Sequence, residues 1–120
     1  MRSQPVLMTS TIHLDAVEGD GGVVWSVSPE GFHTNLVVLT AGQSILPHRN
    51  DALDVLVVAL AGTATVTIDG SDLELAPATA VLVPRGTSRS VMAGAGGVRY
   101  LTIHAQRPPL AVGPRRSADV

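Results

Sequence analysis

Glycine and proline interrupt this chain so often that long helices are excluded. Between the interruptions lie short segments rich in Val, Thr, Ile and Leu, the residue types that favour strands. The interruptions fall at Gly31, Gly42, Pro47, Gly62, Gly70, Pro77, Pro84, Gly86 and Gly94. The segments predict strands over 23–27, 35–40, 44–46, 54–60, 63–68, 73–75, 80–83, 88–93 and 98–104. This pattern indicates an all-β antiparallel sandwich or barrel of about nine to ten short strands.

The strand over 63–68 ends in Asp69-Gly70, which predicts a two-residue type I′ hairpin turn. Its threonines alternate with Ala64, Val66 and Ile68, so one face of this strand is expected to be buried. The preceding run over 55–61 is apolar on both faces and needs cover on both sides. The barrel interior would cover one face, and either a second subunit or a terminal segment would cover the other. We expect a homodimer.

The composition excludes several classes of protein. The chain of 120 residues has no cysteine, which excludes a disulfide scaffold, a thiolate metal site and a cysteine nucleophile. A formal charge of -2 and the absence of a basic cluster argue against nucleic-acid binding. No apolar run approaches the roughly 18 residues of a membrane span. The first residues lack the pattern of a signal peptide, so we expect a cytoplasmic protein.

The length predicts one domain with three parts. Residues 1–31 supply N-terminal strands and a loop, and they are a candidate for exchange between the subunits of a dimer. Residues 32–106 form the barrel core. Residues 107–120 form a tail rich in proline and arginine.

Two short motifs flank the predicted hairpin. Gly42 is followed, after five residues, by His48-Arg49-Asn50, and the run continues to Gly62 at the end of a strand. The second motif is Pro84-Arg85-Gly86, followed by Arg89. In spacing, these segments resemble the two motifs of the cupin superfamily, which are small antiparallel jelly-roll barrels. The resemblance covers residues 32–104 and implies a jelly-roll (cupin-type) β-barrel.

Cupin metal sites use two histidines, a glutamate and a third histidine. The resemblance places these positions at His48, Asn50, Val55 and Arg89, so His48 alone is retained. One imidazole does not hold a first-row divalent metal, and Arg89 puts a permanent positive charge where the ion would lie. Asp54 and His104 are the nearest replacement ligands. We expect no metal and no other cofactor.

If the register of the resemblance holds, His48, Asn50 and Arg89 face one cavity mouth, with Asp54 near its rim. Arginine offers a planar fork of donors that matches carboxylate or phosphate, and the amide and imidazole add hydrogen-bonding groups. Arg89 would then bind a small anionic or polar ligand. Alternatively, it pairs with Asp54 or Asp51 and closes a vestigial site.

The remaining histidines and the single tyrosine are weaker candidates. Tyr100 and His104 alternate on the last predicted strand, so both are candidates to face the same cavity. His13 and His33 lie near predicted loops or strand starts, and we expect them on the surface.

Four functions fit these residues. The first is binding of a small polar or anionic ligand without a metal. The second is a metal-independent isomerase, epimerase or cyclase in which His48 is the general base and Arg89 stabilises charge. The third is a metal-dependent oxygenase, which the lost ligands disfavour, and the fourth is a structural dimerisation module. We carry the first forward because the framework of the motifs is retained while the metal ligands are replaced.

Overall fold

The computed structural model describes residues 11–106, which form seven antiparallel strands. Residues 1–10 and the predicted tail over 107–120 lie outside this described part. Within it, no helix is long and apolar enough to cross a membrane. The strands are β1 (Gly22–Val27), β2 (Phe32–Leu39), β3 (Ser44–Arg49), β4 (Val55–Ile68), β5 (Ser71–Leu75), β6 (Ala80–Val83) and β7 (Ser88–Ala105).

Strands β4 and β7 are long and belong to two layers at once. The first half of β4 pairs with β6 and with the second half of β7, which continues to β2 and β1. The second half of β4 pairs with β5 and with the first half of β7, which continues to β3. The all-β antiparallel fold is therefore confirmed, with seven strands instead of nine or ten, and the described strands do not close into a barrel. The number is lower because two predicted pairs of strands are continuous and bent.

Glycines mark the place where the two long strands bend. Gly62 of β4 has a φ of +73° and Gly97 of β7 a φ of +79°, a region that favours glycine. A Cβ atom on Gly62 would collide with the carbonyl oxygen of Gly97, so the two backbones meet closely at the bend. The pairing register shifts at the same place, between Gly62 and Ala64. A glycine in a strand pattern thus marks a bend here and not the end of a strand.

The core lies between the two layers and takes side chains from both. Alternation along β4 turns Val55, Val57 and Ala59 inward, while Leu56 and Leu60 lie on the outer face and are each 37% exposed. The predicted inward face of 63–68 is confirmed, because its alanine and valine are buried and its threonines are more exposed. The buried cluster comprises Val37, Leu39, Val55, Val57, Ala59, Ala64, Val66, Leu75, Val83, Val91, Ala93, Val98 and Tyr100.

The predicted hairpin is also confirmed. Ile68 pairs with Ser71, which leaves Asp69 and Gly70 as a two-residue turn with φ of +47° and +85°. The Asp69 backbone N–H donates to the Ser88 carbonyl, and the Ser88 N–H donates to the Asp69 carboxylate at 2.8 Å. The turn therefore fixes the start of β7, one residue before Arg89.

Candidate functional site

A void of about 10 Å³, with room for one water molecule, lies at one end of the core. The four positions that correspond to metal ligands in the resembled motif line this void together. They are joined there by a valine and a proline of the β6–β7 region and by a threonine. The lining residues are His48, Asn50, Val55, Val83, Pro84, Thr87 and Arg89.

His48 and Arg89 lie directly opposite each other on β3 and β7. Arg89 Nη2 donates to His48 Nε2 at 2.6 Å, and a guanidinium has no lone pair with which to accept a bond in return. Nε2 must therefore be the unprotonated nitrogen, and Nδ1–H donates to the Leu46 carbonyl at 3.3 Å. In this arrangement both nitrogens of the His48 imidazole are engaged in hydrogen bonds.

The second terminal nitrogen of Arg89 is different. Nη1 is buried, and it forms no hydrogen bond with any group of residues 11–106. Burial lowers the pKa of Arg89, with a smaller opposing effect from the Tyr100 hydroxyl nearby. Burial likewise raises the pKa of Tyr100 to about 12, against the effect of the Arg89 charge. Arg89, which lines the void, therefore has one buried cationic donor that the described protein leaves without an acceptor.

The two acidic side chains considered as partners of Arg89 bind other arginines. Asp54 accepts from the Arg85 guanidinium at 3.1 Å and from the Arg85 backbone N–H at 2.8 Å, which lowers the pKa of Asp54. Asp51 binds Arg49 at 2.8 Å. Asp54 is exposed and lies outside the lining of the void, because Val55, its neighbour on the chain, is the residue that points inward.

Asn50 connects two loops to the void. Its Oδ1 accepts from the backbone N–H groups of Ala52 and Leu53 at 2.9 and 3.0 Å, and its carbonyl accepts from the Gly86 N–H. The side-chain oxygen is therefore used within the β3–β4 loop, which leaves the Nδ2 amide as the group that Asn50 can offer to a ligand.

A second and larger cavity of about 380 Å³ shares Asn50 with the void and opens to the outside. We call it the rim cavity. Its lining residues within the described chain carry no fixed charge, and all but one of them are polar, the exception being a leucine. They are Ser28, His33, Asn35, Asn50, Leu53, His104 and Gln106.

Strands β2 and β7 form one wall of the rim cavity, to which they contribute His33, Asn35 and His104. His33 lies opposite His104, and their rings stack with centroids 5.2 Å apart. Asn35 lies opposite Thr102, and its Nδ2 donates to the threonine hydroxyl at 3.2 Å. The Asn35 Oδ1 accepts from His33 Nε2 at 2.9 Å. These bonds hold the wall in one arrangement.

The structure distributes the predicted site residues over these two spaces and the core. His48, Asn50 and Arg89 come together at the void, Tyr100 is 3% exposed in the core, and His104 lies at the rim cavity. His33 is not on the surface as expected from the sequence, because it is half-buried in the rim cavity wall. Its alternation with Asn35, Val37 and Leu39 was the signal for an inward position.

The donor set at the void does not fit the metal ion of the resembled motif. His48 Nε2 accepts from a guanidinium, the Asn50 oxygen is bound to backbone N–H groups, and Val55 has no ligand atom. The replacement ligands considered are also engaged elsewhere, since Asp54 binds Arg85 and His104 stacks on His33. Residues 11–106 contain no cluster of three or more histidine or carboxylate side chains suited to a metal.

Comparisons with known proteins identify the fold. No family model and no curated protein sequence matches the chain. Among solved structures, KdgF from Halomonas sp. is 19% identical with a TM-score of 0.63, covering 72% of this chain and 78% of KdgF. The cupin domain of Schizosaccharomyces pombe Cnp3 is 23% identical with a TM-score of 0.64, covering 69% of this chain and 63% of that one.

A third similar structure is an uncharacterized conserved protein with a double-stranded β-helix domain from Klebsiella pneumoniae. It is 13% identical with a TM-score of 0.74, covering 88% of this chain and 91% of that chain. At these identities the likeness shows the fold, and the fold is that of the cupin domains. The expectation drawn from the two sequence motifs is thereby confirmed for the fold.

Proposed function

We propose that this protein binds a small anionic ligand inside its cupin-type barrel, without a resident metal, and that Arg89 is the anion contact. The observation that carries the proposal is the buried Nη1 of Arg89, which has no acceptor within residues 11–106. A buried donor without a partner costs about 1–3 kcal/mol, and more where the group is charged. One ligand oxygen beside Nη1 would remove this cost.

The local charges favour an anion over a cation. Arg89 supplies a positive charge, and its neighbour across the strands, His48, accepts a hydrogen bond from it. The nearest acidic groups considered, Asp51 and Asp54, are each engaged by another arginine. An arginine fork recognises the oxygens of carboxylates and phosphates.

The small size of the void limits the part of the ligand that reaches Arg89. With about 10 Å³ it admits one oxygen atom or one water molecule and not a whole ligand. The body of the ligand must therefore lie outside the void, and Asn50, which lines both spaces, marks the rim cavity as its neighbour. A carboxylate at the end of a chain suits this geometry better than a bulky phosphate group.

The same geometry disfavours the enzyme in which His48 is a general base. A general base needs a lone pair directed at the substrate proton. The lone pair of His48 is directed at Arg89 Nη2, and its N–H is directed at the Leu46 carbonyl. Ligand binding needs no rearrangement of this pair, so it is the function that we favour.

Calorimetry with hexanoate and its uncharged analogue hexanamide tests the proposal. We expect hexanoate to bind, hexanamide to bind at least tenfold more weakly, and Arg89→Met to weaken hexanoate binding by about 10- to 100-fold. The matched control is Arg85→Met, which removes an exposed arginine that does not line the void and should leave binding unchanged. Equal binding of acid and amide, or no effect of Arg89→Met, would contradict an anion site.

Elemental analysis of protein purified without a histidine tag tests the metal-free part of the proposal. We expect far less than one equivalent of iron, nickel, manganese or zinc. A stoichiometric metal that disappears in His48→Ala would show that the void rearranges around an ion.

We also propose that the protein forms a homodimer through the outer face of the five-stranded layer. This layer consists of β6, the first half of β4, the second half of β7, β2 and β1. Leu82, Leu56 and Ile103 are direct cross-strand neighbours on β6, β4 and β7. Leu82 is 59% exposed and Leu56 37% exposed, so this row offers apolar surface to a partner. A second copy carries the same row, and a two-fold axis would place the two rows against each other.

A further inference from the structure

We propose that the rim cavity binds the hydroxylated, uncharged part of the ligand, so that the ligand is a polyhydroxylated carboxylate. This inference rests on the proposed anion contact at Arg89 and adds the chemistry of the rest of the molecule. It draws on the cavity wall formed by β2, β7 and the loop that carries Asn50.

The hydrogen bonds within the wall determine which groups remain for a ligand. His33 Nε2–H donates to Asn35, so in the neutral form of the imidazole the lone pair lies on His33 Nδ1. His104 Nδ1–H donates to the Ala105 carbonyl at 2.9 Å, so its Nε2 carries the lone pair. Neither of these lone pairs accepts a hydrogen bond from residues 11–106. The wall thus presents two imidazole acceptors, and Gln106 adds a carbonyl oxygen, since its amide N–H donates to Ser28.

Donors lie beside these acceptors. Asn50 offers its Nδ2 amide because its oxygen is occupied by the β3–β4 loop. Asn35 donates one Nδ2 hydrogen to Thr102 and keeps a second one. The cavity lining therefore offers both donors and acceptors, and none of the described lining side chains carries a fixed charge.

This mixture selects a class of ligand. A hydroxyl group both donates and accepts, so a row of hydroxyls can satisfy neighbouring imidazole lone pairs and amide hydrogens together. A second carboxylate would leave the acceptors unpaired, and an alkyl chain would leave all of these groups unpaired, which costs affinity. The cavity volume of about 380 Å³ lies at the small end of ligand sites and suits a short polyol chain.

Three probes separate this inference from the proposed function on which it rests. Gluconate has both the carboxylate and the hydroxyls. Hexanoate has the carboxylate alone, and sorbitol has the hydroxyls alone. Calorimetry should give the order gluconate, hexanoate, sorbitol, with gluconate at least tenfold tighter than hexanoate. His104→Phe keeps the ring that stacks on His33 and removes both ring nitrogens. It should weaken gluconate about three- to tenfold and leave hexanoate unchanged. The matched control is His13→Phe, an exposed histidine that does not line the cavity.

Each contrary result has its own meaning. Equal affinities for gluconate and hexanoate, both unaffected by His104→Phe, would overturn this inference and leave the anion contact at Arg89 standing. Sorbitol binding as tightly as gluconate, with Arg89→Met without effect, would overturn the anion contact instead. No binding of any of the three probes would overturn both. Circular dichroism of each variant confirms that a loss of binding is not a loss of fold.

Discussion

Replacing Arg89 by methionine should destabilise the protein by no more than about 1 kcal/mol, although Arg89 is half-buried and one of its terminal nitrogens is fully buried. An arginine that is retained to bind a ligand contributes less to the free energy of unfolding than an arginine that is paired within the protein. Methionine keeps most of the apolar stem of arginine and removes the charged head. The substitution therefore isolates the contribution of the guanidinium to the free energy of unfolding.

The expected magnitude follows from the contacts of the two terminal nitrogens. Removing Nη1, which is buried without an acceptor, relieves about 1–3 kcal/mol. Removing Nη2 loses its bond to His48, which costs about 1–2 kcal/mol, and His48 is exposed enough for water to replace the donor. The net change in the free energy of unfolding is about −1 to +2 kcal/mol, where a positive value favours the variant. The thermal midpoint should then shift by between about −4 and +8 °C.

Urea denaturation is the appropriate assay because the chain has one tryptophan, Trp25, half-buried on β1. Its fluorescence reports unfolding of the five-stranded layer, and the midpoint in urea at unchanged slope reports the change in stability. Arg85→Met is the matched control and should change the midpoint little, because Arg85 forms an exposed ion pair. If Arg89→Met instead lost 3 kcal/mol or more, Arg89 would be a paired structural residue and the reasoning would be refuted.

Three further predictions concern the fold and its assembly. Burial raises the pKa of Tyr100 from 10.0 to about 12, so the unfolded chain loses the phenol proton at a lower pH than the folded protein. The free energy of unfolding should therefore fall by about 3 kcal/mol between pH 10 and 12. Urea titrations of Tyr100→Phe should lack this fall. Gly62→Ala should lower the free energy of unfolding, measured in urea, by about 2–4 kcal/mol because the added Cβ meets backbone atoms across the bend. Gly70→Ala has open space around its Cβ and should lower it by only about 1 kcal/mol. Equal losses would contradict the close approach at Gly62. Leu56→Glu should convert a dimer to a monomer in light scattering at micromolar concentration, and the exposed Thr65→Glu should not; a monomeric parent protein would contradict the dimer.

The sequence predicts the fold and the meeting of His48, Asn50 and Arg89, because both depend on local spacing. The Asp69-Gly70 turn fixes the register of its own hairpin, and period-2 alternation assigns the inward residues of β4. The intervals from Gly42 to His48 and from Pro84 to Arg89 place the residues that meet at the void. These intervals are short, so the strands carry them over unchanged.

What the sequence could not supply depends on pairing between distant segments. The number of strands was overestimated because Gly62 is as compatible with a turn as with a bend, and only the approach of Gly97 decides between them. The rim cavity was missed because its wall joins His33 to His104 across the β2–β7 pair. No local pattern states which strand lies beside β2, so the register of a distant pair cannot be read from one sequence.

A crystal structure of the protein grown with gluconate would show directly whether Arg89 binds an anion. We expect a carboxylate oxygen within about 3 Å of Arg89 Nη1, with the hydroxyl groups in the rim cavity against His104. A metal ion on His48 with Arg89 turned out of the void, or an Arg89 Nη1 that still lacks an acceptor while gluconate lies elsewhere, would contradict it.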